Sequence, residues 1–407
     1  MPPSARQVVL VGILHSLLLV IGVQILSWAD QPGSLSLDSL LQWDAVHYAA
    51  IRDHGYLGES SAFFPAFPLL WRISGLGIAG IAALNLSLYL STTVLLARSL
   101  DLPARQYLVY AVLPSAFFFF TPYTEALFYC FSGLLLIGVH RGSTPMIIIG
   151  IFTCSMTRPA FTALVPAAML VALVHAPTLR TGIVRCMAYV LTAITALIVV
   201  ALIQHTDTGE YLGFYHAQQG YGNTFKIPDL PLRSWGGGDV TRLDAVALLA
   251  GLVCSGLVAR EILLKWRSKP PILEPISFIS AGYIAGVSAI ALFLRGGEMY
   301  SLNRFVLATP FALIMVCRSA KLIPMWHWKQ QITIWLGSIC YFLLFASFVH
   351  IRPFLLFAAV GAHIVVGIHI LSNRGQFTTY LYWPWIISTF SLQVYFFNKY
   401  LHGGWVA

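Results

Sequence analysis

Residues 8–28, VVLVGILHSLLLVIGVQILSW, decide the fold class of this chain. An α-helix needs roughly 20 apolar residues to cross a bilayer. Comparable apolar runs recur along the sequence, at Leu76–Ala97, Ile183–Ile203, Ala245–Leu264, Ile332–Val349 and Phe354–Leu371. With the shorter runs at 107–120 and 145–156 counted as candidates, the pattern predicts an all-α polytopic membrane protein of about 12 or 13 transmembrane helices. We expect residues 1–407 to form a single integral membrane domain.

The composition agrees with a chain whose solvent is mostly lipid. Hydrophobic residues make up 58% and charged residues 10%, with a mean hydropathy of +0.78, whereas soluble domains carry about 25% charged residues. The net charge of +9 could indicate nucleic acid as a partner. However, the basic residues lie in short loops between apolar runs, as in membrane proteins. We therefore expect membrane lipids as partners and no nucleic acid. The six cysteines form no CxxC pair and are expected to pack in the core.

The positions of the basic residues predict which loops face the cytoplasm. Positively charged side chains concentrate in cytoplasmic loops. Six loops are basic and are assigned to that side, with Arg98 and Arg105, Arg141, Arg180 and Arg185, Arg260 to Lys269, Arg318 to Lys329, and Arg374. The intervening loops then face outside. Two of these are long and polar, a first outer loop at 29–70 and a second at 206–244.

The first outer loop contains the most unusual stretch of the sequence, residues 43–72, WDAVHYAAIRDHGYLGESSAFFPAFPLLWR. Lipid disfavours irregular backbone and unpaired charge. A stretch this rich in Asp, His, Glu and Arg at a membrane surface therefore indicates a functional role, and catalysis is the one we favour.

Ionisable residues at other outer boundaries extend this pattern. Glu125 lies at the outer start of an apolar run and Arg158 at another boundary. A third boundary carries Arg295, Glu298, Asn303 and Arg304. Ionisable residues at such depths usually belong to functional sites. We therefore expect these residues and the first outer loop to form one shared site on the outer face. The alternative is that each is an ordinary interfacial charge that reaches for water.

The residue types suggest distinct roles. Trp43 to Tyr48 is expected to form a helical turn that places Asp44 and His47 on one face. Asp44 could accept a proton from a hydroxyl nucleophile, or it could simply cap a helix. Arg158 and Arg304 are candidates to bind an anionic phosphate. His47 and His54 could ligate a metal with Asp44, but no second group at ligand spacing appears, so neither a metal nor a cofactor is predicted.

The aromatic half of the first outer loop, Ala62 to Pro68, leaves two interpretations open. Its two prolines argue against a plain helix through this segment. Phe64 and its neighbours could form the wall of a groove that admits a lipid or a sugar. They could equally belong to the belt of aromatic residues found at membrane interfaces.

At these residues the chain resembles the PIG-V family, the second mannosyltransferase of GPI-anchor assembly and its bacterial relatives. The resemblance covers about residues 43–160, and Asn303-Arg304-Phe305 is similar to a later family element. The matching fragments, in family order, are Trp43-Asp44-Ala45, His54-Gly55-Tyr56-Leu57, Ala62-Phe63-Phe64-Pro65, Pro114-Ser115-Ala116, Tyr123-Thr124-Glu125-Ala126-Leu127-Phe128 and Arg158.

The resemblance implies a GT-C glycosyltransferase fold with its active site on the non-cytoplasmic face. It also implies a polyprenyl- or dolichyl-phosphate mannose donor, a glycolipid or glycan acceptor, and inversion at the anomeric carbon. It makes Asp44 the general base and Arg158 and Arg304 the donor-phosphate ligands. The residues it suggests for substrate binding are Trp43, His47, His54, Tyr56, Phe64, Tyr123, Glu125 and Asn303.

Departures from the family pattern affect the acceptor more than the chemistry. Pro159, Ala160 and Phe161 follow Arg158, where eukaryotic members typically carry Ser-Asn-Gly. The compact chain favours a prokaryotic relative in the bacterial plasma membrane over the endoplasmic reticulum membrane of a eukaryote.

Two other functions remain open at the level of the sequence. A transporter or flippase of lipid-linked sugars would need polar residues through the depth of the spans. The spans are nearly all apolar, and the exceptions His15, Asn85 and His363 are expected to be hydrogen-bonded core residues. A non-catalytic scaffold of a membrane complex would make the outer charges incidental.

Overall fold

The computed structural model describes residues 3–30, 35–322, 328–345, 351–372 and 376–406. Within these ranges the chain is helical, and its sole strand-like pairing is an isolated bridge between Arg233 and Glu298. Residues 31–34 of the first outer loop and the cytoplasmic marker Arg374 lie outside the described residues.

Seventeen α-helices follow one another along the described chain. They are α1 Pro3–Asp30, α2 Asp44–His54, α3 Ala66–Ser74, α4 Ile78–Leu100, α5 Ala104–Ala111, α6 Glu125–Arg141, α7 Thr144–Thr157, α8 Phe161–His175, α9 Leu179–Thr208, α10 Gly213–Gly220, α11 Gly238–Trp266, α12 Pro275–Leu294, α13 Leu302–Leu307, α14 Pro310–Leu322, α15 Trp328–Phe342, α16 Ile351–Ser372 and α17 Gln376–Leu401. Short 3-10 helices occupy Leu37–Leu40, Gly58–Ala62, Pro114–Phe120 and Leu343–Phe345.

Six described helices are long and apolar enough to cross a membrane, which confirms an all-α polytopic membrane protein. They comprise α1, α4, α9, α11, α12 and α16. Three further apolar helices fall short of that length, at Thr144–Thr157, Phe161–His175 and Pro310–Ser319. Among the described residues, helix length therefore supports fewer spans than the predicted 12 or 13. Several apolar runs form short helices instead, including 145–156, which lies within the 14-residue α7.

The apolar run at 107–120 is broken rather than continuous. It divides into α5 and the 3-10 helix Pro114–Phe120, because Pro114 cannot continue an α-helix from the preceding turn. This 3-10 helix and α6 together could make one further span, bent by 101° at the break. The break makes Glu125 the first residue of α6, at a helix start that is buried.

The first outer loop is mostly helical. The predicted turn at Trp43 to Tyr48 is confirmed as the start of α2. Pro65 and Pro68 do not exclude a helix, because α3 begins directly after Pro65 and Pro68 lies in its first turn. Backbone N–H groups in a first turn have no intrahelical partner, so a proline costs little there. In the second outer loop, α10 and the start of α11 are helical, and the segment between them is irregular.

Close helix packing forms the core. Helix α6 packs on α4 and α7, α12 packs on α8 and α11, and α1 packs on α4, α5 and α17. Small residues permit the closest approaches, since a Cβ atom at Gly251 of α11 would collide with Ser288 of α12. Cys154, Cys186, Cys254 and Cys317 are buried as expected, whereas Cys130 is half-buried and Cys340 is exposed.

Polar residues inside the spans have partners, as predicted. His15 Nε2 lies 2.8 Å from Gln393 Oε1, and His363 Nε2 lies 2.9 Å from Thr389 Oγ1. Asn85 donates to the carbonyl oxygens of Thr121 and Tyr123 at 2.6 and 2.9 Å. These last two bonds fix the broken backbone just before Glu125.

Candidate active site

Four ionisable residues that are distant in the sequence form one connected network. Arg304 Nη1 donates to Asp44 Oδ2 at 2.7 Å, and Arg304 Nε lies 3.2 Å from Glu125 Oε1. Arg158 Nη1 donates to the same Glu125 oxygen at 3.1 Å. The network therefore runs from Asp44 through Arg304 and Glu125 to Arg158. We call these four residues the ionic network, and all four are among the residues expected to share a site.

Each member occupies the end of an element or a short helix, which explains why the four can meet. Asp44 begins α2, Glu125 begins α6, and Arg158 directly follows α7 in extended conformation. Arg304 lies in the six-residue α13. The positive end of a helix dipole favours a carboxylate at its first residue, so α2 and α6 both stabilise their acids.

Burial distinguishes Asp44 from the other three members. The Asp44 side chain is 19% exposed, whereas Arg304 is 7%, Arg158 6% and Glu125 0% exposed. Two guanidinium groups and two carboxylates make the network formally neutral, which makes such deep burial tolerable. Burial lowers the pKa of Arg304, but Asp44 and Glu125 outweigh it, so the pKa lies above its ordinary value and the side chain stays charged. Asp44 is thus the member that an incoming hydroxyl group reaches most readily.

Three guanidinium groups surround the ring of Phe305. The Cζ atoms of Arg304, Arg158 and Arg295 lie 4.9, 5.2 and 5.9 Å from its centroid. Arg158 also stacks on Phe128 at 3.8 Å. Within the described chain, Nε and Nη2 of Arg158 have no hydrogen-bond partner although both are buried. Two donors on a buried cation are therefore free for an anionic ligand.

Asn303 supports the network from behind. Its backbone N–H and its side-chain Nδ2 both donate to Asp244 Oδ1 at 2.7 Å. Nδ2 also donates to the Val406 carbonyl at 3.0 Å, and Ser115 Oγ donates to Asn303 Oδ1 at 2.8 Å. With its amide donors and acceptor occupied, Asn303 fixes the backbone that carries Arg304. This is a positioning role.

The sequence interpretation placed Arg295 among the residues expected to share the outer-face site, but it left Asp244 out. Asp244 is the last residue of the predicted second outer loop, yet it is buried in α11, where Ser234 Oγ also donates to it. The sequence did offer one indication: Asp244 directly precedes the apolar run Ala245–Leu264. An acid at the start of a span is expected to have polar partners. Arg295 is held by the Tyr300 carbonyl at 2.6 Å, and burial lowers its pKa.

Aromatic residues border the network. The Tyr123 ring centroid lies 5.1 Å from Arg304 Cζ, and its hydroxyl donates to the Gln42 carbonyl at 3.1 Å. Tyr48 is buried beside Asp44 and Glu125, and burial followed by these two charges raises its pKa. Trp43 immediately precedes Asp44, has a positive φ of 54° and is 42% exposed.

Three of the predicted substrate-binding residues, His54, Tyr56 and Phe64, make their contacts outside the network, whereas His47 lies one helical turn along α2 from Asp44. His47 is exposed and stacks on Phe63 at 4.7 Å. His54 ends α2, about 15 Å along the helix from Asp44. The Tyr56 backbone N–H donates to Asp207 at 2.9 Å. Phe64 is buried between Phe161 and Phe214 and so contributes to the core rather than to an open wall.

The described residues contain no group of three or more His, Cys, Asp and Glu side chains arranged to hold a metal ion. The 15 Å separation along α2 keeps His54 from joining Asp44 and His47 as ligands of one ion.

No family model, curated protein or solved structure matches the chain. The resemblance to the PIG-V family and to the GT-C fold therefore stays a prediction, carried by the motifs quoted above. The ionic network stands independently of it, on distances and burial alone.

Proposed function

We propose that the protein is a membrane glycosyltransferase that moves mannose from a polyprenyl- or dolichyl-phosphate donor to a glycolipid or glycan acceptor. The ionic network carries this proposal. It combines a partly exposed carboxylate with two buried guanidinium groups, and that of Arg158 has two donor atoms without a hydrogen-bond partner in the described residues. A sugar transfer from a lipid phosphate needs a base for the acceptor hydroxyl and cations for the leaving phosphate.

The chemistry assigns a role to each charge. Asp44 accepts the proton of the acceptor hydroxyl as that oxygen forms a bond to the anomeric carbon. The bond between the anomeric carbon and the phosphate oxygen breaks, and the polyprenyl phosphate leaves with the electron pair. Arg158 and Arg304 stabilise the negative charge that develops on the phosphate. Attack opposite the leaving group inverts the anomeric configuration.

Arg304 must exchange partners for this reaction to proceed. Its bond to Asp44 competes with the acceptor hydroxyl for the Asp44 oxygen. A donor phosphate offers Arg304 an alternative anionic partner. We therefore expect the donor to bind before the acceptor, and its binding to release Asp44 for proton transfer.

The lipid character of the donor fits a chain in which six helices can cross a membrane. A polyprenyl phosphate places its head at the bilayer surface, where the network would meet it. We propose the outer face of a bacterial plasma membrane as the location, because the basic loops are assigned to the cytoplasm.

Two matched substitutions in α2 test the proposal. Asp44→Asn removes the base, and Asp53→Asn removes an exposed carboxylate whose ion pair within the described residues is with its neighbour Arg52, at 2.6 Å. We expect Asp44→Asn to lower mannose transfer from polyprenyl-phosphate mannose by about 10²- to 10⁴-fold, and Asp53→Asn to leave it unchanged. The assay uses the full-length protein in liposomes with radiolabelled donor and membrane glycolipid extract.

Equal transfer by Asp44→Asn and by the unsubstituted protein would exclude Asp44 as the base. Movement of the labelled donor between leaflets without any labelled product would instead support the alternative, a flippase of lipid-linked sugars. The same liposomes measure both mannose transfer and donor movement if a reagent that hydrolyses the donor in the outer leaflet alone is added.

A further inference from the structure

A continuous array of aromatic rings begins at the residue next to Asp44. The Trp43 and Trp405 ring centroids lie 4.9 Å apart, edge to face. Trp405 lies 5.5 Å from Trp235, and Trp235 stacks on Tyr300 at 4.5 Å with 23° between the planes. Arg295 covers Tyr300, with its Cζ atom 4.1 Å from the ring centroid. The array therefore links the proposed base with one of the arginines around Phe305.

Four separate segments build this array. Trp43 precedes α2, Trp235 lies before α11, Tyr300 precedes α13, and Trp405 follows α17. Trp405 is held in place on one side by the neighbouring Val406 carbonyl, which accepts from Asn303. On the other side Gly236, at φ +83°, packs so closely that an added Cβ would lie 2.8 Å from Trp405 Cδ1. These contacts show a constructed surface rather than a chance meeting of side chains.

The array retains accessible aromatic surface. Trp43 is 42% and Trp235 49% exposed. Ordinary interfacial aromatic residues anchor single helices against lipid around the circumference of a protein. These rings instead pack on one another and lead to Asp44, so lipid anchoring alone does not explain them.

We propose that Trp43, Trp235, Trp405 and Tyr300 form a platform that binds a pyranose ring of the acceptor; the term acceptor rests on the glycosyltransferase function proposed above. A pyranose presents C–H groups on its faces and hydroxyl groups around its edge. The electron-rich face of an indole attracts the C–H groups. The hydroxyl edge is then free to reach Asp44, beside Trp43. The acceptor class is thus a glycan, and a peptide hydroxyl is the class that this surface does not favour.

Binding of simple glycosides tests the platform without requiring the transfer reaction. Methyl α-mannopyranoside and methyl α-glucopyranoside serve as probes for saturation-transfer NMR on the full-length protein. A detergent without a sugar headgroup is essential, since alkyl glycosides would occupy the same surface. We expect saturation of the pyranose ring protons, and about tenfold weaker binding in Trp235→Ala.

Two further variants separate stacking from loss of structure. Trp235→Phe keeps an aromatic face and should restore most of the binding. Trp266→Ala removes an 81% exposed tryptophan at the far end of α11 and should not change it. Absence of saturation transfer to both glycosides, or equal binding by Trp235→Ala and the unsubstituted protein, would overturn the proposal.

Parallel transfer assays on the same preparations keep the two proposals distinguishable. Binding that depends on Trp235 in a protein that transfers no mannose would retain the platform and reject the glycosyltransferase. Mannose transfer with an unchanged acceptor KM in Trp235→Ala would retain the glycosyltransferase and reject the platform. A rise in acceptor KM with an unchanged donor KM supports both.

Discussion

Glu125 and Glu261 are both fully buried glutamates paired with arginine, yet their surroundings differ. Glu261, near the end of α11, uses both oxygens. Oε1 accepts from Arg260 at 3.0 Å, and Oε2 accepts from the backbone N–H groups of Ile272 and Leu273 at 2.8 and 3.3 Å. All three partners are close in sequence. Glu261 therefore fixes the turn that connects α11 with α12.

Glu125 has the opposite pattern. Its Oε1 atom is shared by Arg158 and Arg304, which come from other parts of the chain. Its Oε2 atom has no hydrogen-bond partner within the described part of the chain. A buried carboxylate oxygen without a hydrogen-bond partner lowers the stability of the folded protein, because it has lost its bonds to water. The difference indicates that Glu261 stabilises local structure, whereas Glu125 brings together two cations from distant parts of the chain, which is the arrangement that the proposed donor-phosphate site requires.

The largest effect is expected from changes to Glu125. Glu125→Gln leaves Arg158 without its anionic partner, so the free energy of unfolding should fall by about 3–5 kcal/mol. Without the Glu125 carboxylate, the guanidinium groups of Arg158 and Arg304 should shift from their positions. We expect this displacement to lower mannose transfer about 100-fold. Thermal unfolding in detergent and transfer per folded molecule measure the two effects separately.

A double substitution isolates the functional part of that effect. Glu125→Gln with Arg158→Met removes both charges and replaces the arginine by an apolar side chain of similar length. Stability should largely return, since neutral replacement of a buried pair is often tolerated. Transfer should stay low. A stable double variant with full transfer would make the pair structural, like Glu261.

Arg304→Lys should have a smaller effect. An ammonium group cannot bond Asp44 and Glu125 in the geometry of a guanidinium group. Because a hydrogen bond to a charged group is worth about 1.5–3 kcal/mol, donor KM should rise by about tenfold or more. Steady-state kinetics with varied donor give this value. An unchanged donor KM would remove Arg304 from the phosphate site.

Glu261→Gln should affect stability alone. Loss of charge weakens the bonds from Arg260, Ile272 and Leu273, and we expect a cost of about 1–3 kcal/mol. Transfer per folded molecule should match the unsubstituted protein. If transfer instead falls as far as in Glu125→Gln, the contrast between the two glutamates fails.

Removal of divalent metal should have the smallest effect. The two cationic side chains of the ionic network supply the charge that a metal would otherwise bring to a phosphate. Transfer in excess EDTA should equal transfer without it. Loss of activity that returns with Mg²⁺ or Mn²⁺ would require a metal bridge to the donor.

Much of the local structure followed from the sequence. Apolar runs such as 8–28 predicted membrane helices, and the turn at Trp43 to Tyr48 predicted the start of α2. The number of spans was less predictable. A run such as 107–120 has the composition of a span, but Pro114 breaks it. Directly after the run, Asn85 holds the non-helical backbone at Thr121 and Tyr123.

The sequence by itself determined that the protein lies in a membrane and which residue types lie in its polar loops, because hydropathy and charge can be read from short stretches of the chain. Only the tertiary structure decided which charges pair. Arg304 contacts both Asp44 and Glu125. It can do so because the bond between Asn303 and Asp244 fixes the short helix α13, which is far from Asp44 and Glu125 in the sequence. Long-range pairing depends on helix packing, which no local pattern encodes, and the same packing brings Trp405 to Trp43.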